Sequence, residues 1–280
     1  MKRTQWLKGG SFLAVDGHRI FHRVDGEGPT LVFIHGFPTS SIDWDPVIAV
    51  LSKRFRCVSF DLLGFGASSK PVGPYSFQTQ LRVFDAVLAA TKTTDATLIA
   101  HDYGVTVAQL ALARNSGPKL HGVMFLNGGL NPALHRPQPI QRIMASRLGP
   151  FLAPYVTTRN SLARSLRKVI VRHERVDFDD VWEALIDQNG IPVTPFLLGY
   201  IEERRTLQNT LLDALTKTTV PLAFAWGNAD PVSGAHMLAW VRQTLPSATV
   251  LALDGVGHYP QLEAAEEVTA FIARWCATLH

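Results

Sequence analysis

The chain has 280 residues, of which 46% are hydrophobic and 18% charged, with a formal net charge of +4. This is a globular composition with ample core material, and it excludes disordered, collagen-like and disulfide-stapled classes. Only Cys57 and Cys276 are present, the N-terminus lacks a signal-type apolar stretch, and no run of 18 apolar residues occurs, so a soluble, cytoplasmic protein without stable membrane insertion is expected.

Phe12 to Val24 reads as a hairpin turning at Asp16-Gly17. Thr30 to Ile34 is a continuous apolar strand of the buried, parallel type. It runs into His35-Gly36-Phe37-Pro38, where a glycine lets a backbone N–H turn toward an oxyanion. The next strand, Cys57–Phe60, is followed by Asp61-Leu62-Leu63-Gly64-Phe65-Gly66. That segment lacks the dinucleotide spacing and any P-loop lysine, so a structural loop is the better reading. A helix is expected over Phe77–Ala90.

The strand Ala96–Ala100 stops at His101-Asp102-Tyr103-Gly104, and a helix follows over Val105–Arg114. A strand, a sharp turn and a helix make the nucleophile elbow, here flanked by the small residues Ala100 and Gly104. The elbow position holds Asp102 in place of a serine. A carboxylate is already ionised at pH 7 and can displace a leaving group at saturated carbon, forming an ester with the enzyme. The plainer alternative is that Asp102 only caps the helix. His35 and His101 sit at turns, where structural hydrogen bonds are the simpler role.

The strand Gly122–Leu126 ends in Asn127-Gly128-Gly129, and the alternation then breaks. Residues 130–217 carry helical patterns interrupted by prolines and no convincing strand. Between Arg159 and Arg175, Leu162, Leu166, Val169 and Ile170 form an apolar stripe with Arg164, Arg167, Lys168 and Arg172 around it. This reads as a solvated helix face, with no nucleic-acid contact implied. Strand Leu222–Trp226, helix Ala235–Thr244, strand Thr249–Leu253 and helix Glu266–Cys276 complete the chain. The pattern predicts an α/β fold: a core of 1–129 and 218–280 around a mostly parallel sheet, with 130–217 inserted as a helical cap.

Ligands of such sheets sit beyond the carboxyl ends of the strands. There the chain places Asp102, then Asp230 in Gly227-Asn228-Ala229-Asp230, then His258 in Gly257-His258-Tyr259-Pro260. Nucleophile, acid and histidine follow the chain order of a hydrolase triad. Asp254 is a rival acid, but only four residues before the histidine it is better placed to shape the loop.

Together these residues resemble the α/β-hydrolase superfamily, and within it the aspartate-nucleophile branch of epoxide hydrolases and haloalkane dehalogenases. HGFPTSS (35–41), DLLGFG (61–66), HDYG (101–104), the NGG and HRP of 127–137, and GHYPQLE (257–263) are similar in particular to the mesoderm-specific transcript family. Dehalogenases of the branch carry a Trp after the nucleophile and usually an Asn after the His-Gly. Tyr103 and Phe37 stand there instead, without a side-chain N–H for a halide. Epoxide hydrolases use cap tyrosines to protonate the opening oxygen. The resemblance implies Tyr200 for that role, with Tyr155 as its partner, against the alternative of ordinary aromatic packing for each.

The expected function is therefore epoxide hydrolysis. Asp102 is the nucleophile, His258 the base oriented by Asp230, and the Phe37 and Tyr103 amides form the oxyanion hole. The expected partners are a small apolar epoxide and water, with no metal or organic cofactor; a homodimer is left open. The alternatives are haloalkane dehalogenation, ester or lactone hydrolysis, and a ligand-binding module without turnover.

Overall fold

Asp16 and Gly17 both take positive φ (50° and 79°), as a type I′ turn requires, and join β1 (Ser11–Val15) to β2 (His18–Asp25). Six further strands follow: β3 (Thr30–Ile34), β4 (Arg56–Phe60), β5 (Asp95–His101), β6 (Lys119–Leu126), β7 (Leu222–Gly227) and β8 (Thr249–Leu253). In the computed structural model, which describes residues 1–114, 116–146 and 148–279, they form one sheet in the order β1-β2-β4-β3-β5-β6-β7-β8. The pairings of β1 with β2 and β2 with β4 are antiparallel, and all others are parallel.

The parallel strands read as unbroken apolar runs because helices cover both faces. Val32, Ile34, Leu98 and Ala100 face one core with α3 (Phe77–Ala90), α4 (Tyr103–Ala113) and α12 (Ala235–Thr244). Leu31, Phe33 and Ile99 face the other, with α1 (Arg3–Lys8), α2 (Asp45–Leu51) and α14 (Ala265–Cys276). Helix α3 starts where Ser76 caps it by accepting the Thr79 N–H, and buries Phe77, Leu81, Phe84 and Leu88 along one face. The sequence pattern did not mark α1, α2 or the short α13 (Pro260–Glu263), each of seven residues or fewer. Pro46 at the start of α2 is the one local signal for it. Cys57 and Cys276 are both buried and free.

Between β6 and β7 the described residues hold helices and no strand: α5 (Pro139–Met144), α6 (Gly149–Val156), α7 (Arg159–Leu166), α8 (Phe178–Ile186), α9 (Thr194–Leu197), α10 (Tyr200–Thr206) and α11 (Gln208–Thr216). Helix α7 ends at Leu166, so Val169 and Ile170 of the expected stripe fall in the turn beyond it. They pack with Leu166, Val176 and Val181 against Val232 and Tyr259, which joins this helical segment to the strand ends below. Arg164, Arg167 and Lys168 remain exposed. No helix among the described residues is long and apolar enough to cross a membrane.

Candidate active site

Strand β5 passes into α4 through Asp102, whose φ of 44° and ψ of −106° belong to neither element. A non-glycine residue holds such a conformation only when its surroundings enforce it. Here the Asp102 N–H donates to the Asn127 carbonyl (3.0 Å) and the Gly104 N–H to the His35 carbonyl (3.1 Å). A Cβ at Gly104 would lie 2.7 Å from the carbonyl oxygens of Ile34 and His35, so the close approach of α4 to β3 depends on glycine.

Asp102 stands at the cap position of α4, yet its carboxylate makes no capping hydrogen bond. Its Oδ2 accepts the Phe37 N–H (2.9 Å). Its Oδ1 accepts no hydrogen bond within 3.5 Å among the described residues and faces His258 Nε2 at 3.6 Å. The Tyr103 N–H, in the first turn of α4, also finds no backbone acceptor there. Of the two expected oxyanion donors, Phe37 thus meets the Asp102 carboxylate directly.

His258 lies between two acids. Its Nδ1 is 2.7 Å from Asp230 Oδ2, and its Nε2 is 3.6 Å from Asp102 Oδ1, a charge contact longer than a hydrogen bond. Asp230 is fixed from several sides by the Val232 N–H (2.7 Å), the Ser233 N–H and hydroxyl (3.1 and 2.8 Å) and the Asn127 side-chain amide (3.0 Å). Asp102, Asp230 and His258 are each at most 5% exposed. Burial alone would raise the two carboxylates and lower the imidazole. The pairing reverses this: the His258 charge holds Asp102 well below the carboxylate range and brings Asp230 to about 2. For His258, the Asp230 and Asp102 carboxylates outweigh burial and keep the ring protonated in the resting state. Asp254 takes no part, since it accepts a hydrogen bond from Asn228 on the surface (2.7 Å).

His101 and His35 are struts. Burial drives the His101 pKa down to about 3, and the neutral ring bridges the His258 carbonyl (2.7 Å) and the Gln261 amide (3.0 Å). His35, also held neutral by burial, accepts the Leu62 N–H (3.0 Å) and tethers the loop after β3 to the loop after β4. In that second loop, Asp61 accepts the N–H groups of Ser41 (2.8 Å) and Ala67 (2.7 Å), a structural role that fits its reading from sequence.

Asn127, Gln261 and Glu263 were not singled out from sequence, although the last two lie inside GHYPQLE. The Glu263 carboxylate accepts four backbone N–H groups: Gly257, Val171 and Arg172 on Oε2 (2.9, 2.8 and 3.0 Å) and Tyr259 on Oε1 (3.0 Å). It ties the His258 loop to the helical segment. Glu263→Gln turns an amide donor toward one of those donors, and is expected to cost about 2–3 kcal/mol of unfolding free energy. A urea midpoint measurement checks this; an unchanged midpoint overturns it.

Above the triad lies a cavity of about 550 Å³. Asp102, His258, Phe37 and Tyr259 form its floor, and Met144, Leu166, Leu198 and Tyr200 belong to its apolar wall. Tyr200 is 2% exposed and opens α10. Burial, and then the charge of Asp102, push its pKa up, so the phenol stays protonated at neutral pH. The expectation for Tyr155 needs correction. It is 84% exposed and does not line the cavity. Helix α6 turns Ala153 inward, and two residues further on, at about 100° each, the chain has come round to the solvent face. The Tyr103 ring is fully buried against Phe65, Phe77 and Tyr200, so only its amide can serve the site.

Comparison with known proteins bears on the fold and the family. A family model of the alpha/beta hydrolase fold matches residues 29–265. LipZ of Mycobacterium tuberculosis, which bears a hydrolase name, is 33% identical over 269 residues covering 93% of each chain. The human mesoderm-specific transcript homolog protein is 35% identical over 279 residues, covering 92% of this chain and 83% of that one. Among solved structures, haloalkane dehalogenase DbeA of Bradyrhizobium elkanii superposes with a TM-score of 0.83 at 22% identity, over 96% of this chain and 98% of that one. A Thermogutta terrifontis esterase does so with a TM-score of 0.76 at 21% identity, over 97% and 99%. At such identities the structural likeness is one of fold.

Proposed function

This chain belongs to the alpha/beta hydrolase family, and we propose that within it the protein is an epoxide hydrolase acting through a covalent ester on Asp102. One observation carries the reading. An ionised carboxylate with a hydrogen-bond-free oxygen and a protonated phenol, Tyr200, face the same apolar cavity. The carboxylate attacks an oxirane carbon, the ring C–O bond breaks, and the phenol gives its proton to the departing oxygen. A halide would instead need N–H donors, and neither Phe37 nor Tyr103 offers one from its side chain.

The second step follows from the charges. Alkylation neutralises Asp102 and removes one of the two carboxylates that keep His258 protonated. The ring then gives up its proton to solvent, and solvent returns one to the Tyr200 phenolate. The neutral imidazole is available as a base for ester hydrolysis, with Asp230 still orienting it through Nδ1. Water loses a proton to His258 and attacks the ester carbonyl. The resulting oxyanion is met by the Phe37 and Tyr103 amides, donors of a kind worth about 3–4 kcal/mol to a transition state. Its collapse breaks the ester C–O bond, the departing diol oxygen takes a proton from His258, and the acid proton left on Asp102 returns to that ring.

The test is diol formation over a panel of small apolar epoxides. Tyr200→Phe is expected to slow alkylation about a hundredfold, while Tyr155→Phe leaves it unchanged. Absence of diol from every epoxide, with bromide released from 1,2-dibromoethane, would replace this reading by dehalogenation.

A further inference from the structure

Arg204 is 1% exposed, and among the described residues none of its three side-chain nitrogens has a hydrogen-bond partner or measurable contact with solvent. A guanidinium does not shed its charge at neutral pH, and an unpaired buried charge is costly. The dry packing also leaves no space at these nitrogens for a bridging water. Arg204 follows Tyr200 by four residues on α10, so the two share a helix face. Its guanidinium carbon lies 5.8 Å from the centre of the Tyr200 ring. On its other side it rests on Gly129, where a Cβ would come within 1.8 Å of Nη2. The neighbouring Gly128 packs against the backbone of Asp102, its own Cβ position 3.1 Å from the Asp102 Cα.

We propose that Arg204 is a positioning residue for ring opening, its buried guanidinium stabilising the negative charge that ring opening transfers from Asp102 to the Tyr200 phenol. The proposal rests on the epoxide reading. In the resting site Asp102 and Asp230 carry two negative charges, balanced by His258 and Arg204. As the Asp102–carbon bond forms and the ring C–O bond breaks, the electron pair goes to the ring oxygen. That oxygen takes the Tyr200 proton, and the charge comes to rest on the phenolate until water returns a proton. The net charge is unchanged, but the negative end has moved from beside His258 to beside Arg204. A fixed charge in a dry site aimed at developing charge is the efficient way to lower such a barrier. Of the groups around Tyr200, Phe37, Phe77 and Tyr103 present rings, while Asp102 raises the phenol pKa and Arg204 lowers it. His135, whose two ring nitrogens are also buried and unpartnered, is pushed to about 3 by burial and by Arg204, and adds no charge.

The test compares Arg204→Met and Arg204→Lys in the full chain. Arg204→Met should fold with an unchanged or higher melting temperature, because it replaces an unpaired buried charge with apolar volume. Alkylation by an epoxide should nevertheless slow about 10- to 100-fold, because the phenol loses the cation that lowers its pKa. Arg204→Lys should keep most of the rate. In a Tyr200→Phe background, Arg204→Met should cost nothing further. With 3,5-difluorotyrosine at position 200, a more acidic phenol, absorbance titration of the resting enzyme should show the pKa rise directly. An unmoved titration, an equal slowing without the Tyr200 hydroxyl, or an Arg204→Met chain that fails to fold would overturn the proposal. An intact Arg204-dependent titration with no alkylation by any epoxide would instead overturn the epoxide reading on which the proposal rests.

Discussion

His258→Gln is expected to leave an epoxide substrate attached to the enzyme. Attack by Asp102 needs no base, because the carboxylate is already ionised, held far below its usual range by the His258 charge despite burial. Losing that charge lets the Asp102 pKa rise, but the Phe37 N–H on Oδ2 remains to favour the ionised form. Hydrolysis of the ester has no such reserve. Water must lose a proton as it attacks, and glutamine cannot take it, so this step should slow about 10³- to 10⁴-fold. Intact-mass analysis after epoxide addition should show the chain heavier by one whole substrate molecule, and peptide mapping should place that mass on Asp102. In the wild type, ester hydrolysis should speed up as pH rises through the His258 pKa of the alkylated state. That pKa lies below the resting value because one of the two carboxylates raising it has gone. A folded variant that binds substrate and stays unmodified would remove the covalent step from the mechanism.

The parts of this site that were legible in the sequence depend on local chain geometry. A strand's end fixes where the next few residues project, so Asp102, Asp230 and His258 could be placed at one sheet edge from strand ends alone, and the structure brings them within ion-pair distance. The Asp16-Gly17 turn and the limits of α3 and α12 were legible for the same reason: turn chemistry and helical period act within a few residues. Tyr155 shows where this reasoning stops. Its place in the chain suited a cap tyrosine, but which face of α6 turns inward is decided by what α6 packs on, and Gly149 and Ala153 take that face.

The supporting residues were hidden for a related reason. Glu263 gathers N–H groups from residues 171–172 and from 257–259, segments nearly 90 positions apart that meet only when the helical segment docks. The Asn127 amide spans Asp230 and Gly227 and braces the acid between two strand ends, across a separation of 100 positions that no local pattern reveals. Arg204 stands in Glu-Glu-Arg-Arg (202–205), where nothing local separates it from Arg205. Only the fold shows that Arg205 pairs with Glu202 on the surface while Arg204 is buried over Tyr200.

Asp102→Asn should abolish turnover, by at least about 10⁴-fold, since the nucleophile and not an accessory group is lost. The amide is nearly isosteric, and its oxygen can still accept the Phe37 N–H, so the elbow should hold its shape. One further change follows from electrostatics. With the Asp102 charge gone and Asp230 alone raising it, the His258 pKa should fall, which imidazole NMR reads without any substrate. Isotope labelling then separates a nucleophile from a base. In a single turnover of the wild type in ¹⁸O water, the first diol should carry an unlabelled oxygen from Asp102, and the label should appear in the Asp102 carboxylate. Each oxygen handed to product is replaced by water at the ester carbonyl, so label should enter the diol only in later turnovers. Label in the first diol, with none in the carboxylate, would mean that water attacks the oxirane directly and that Asp102 serves as its base.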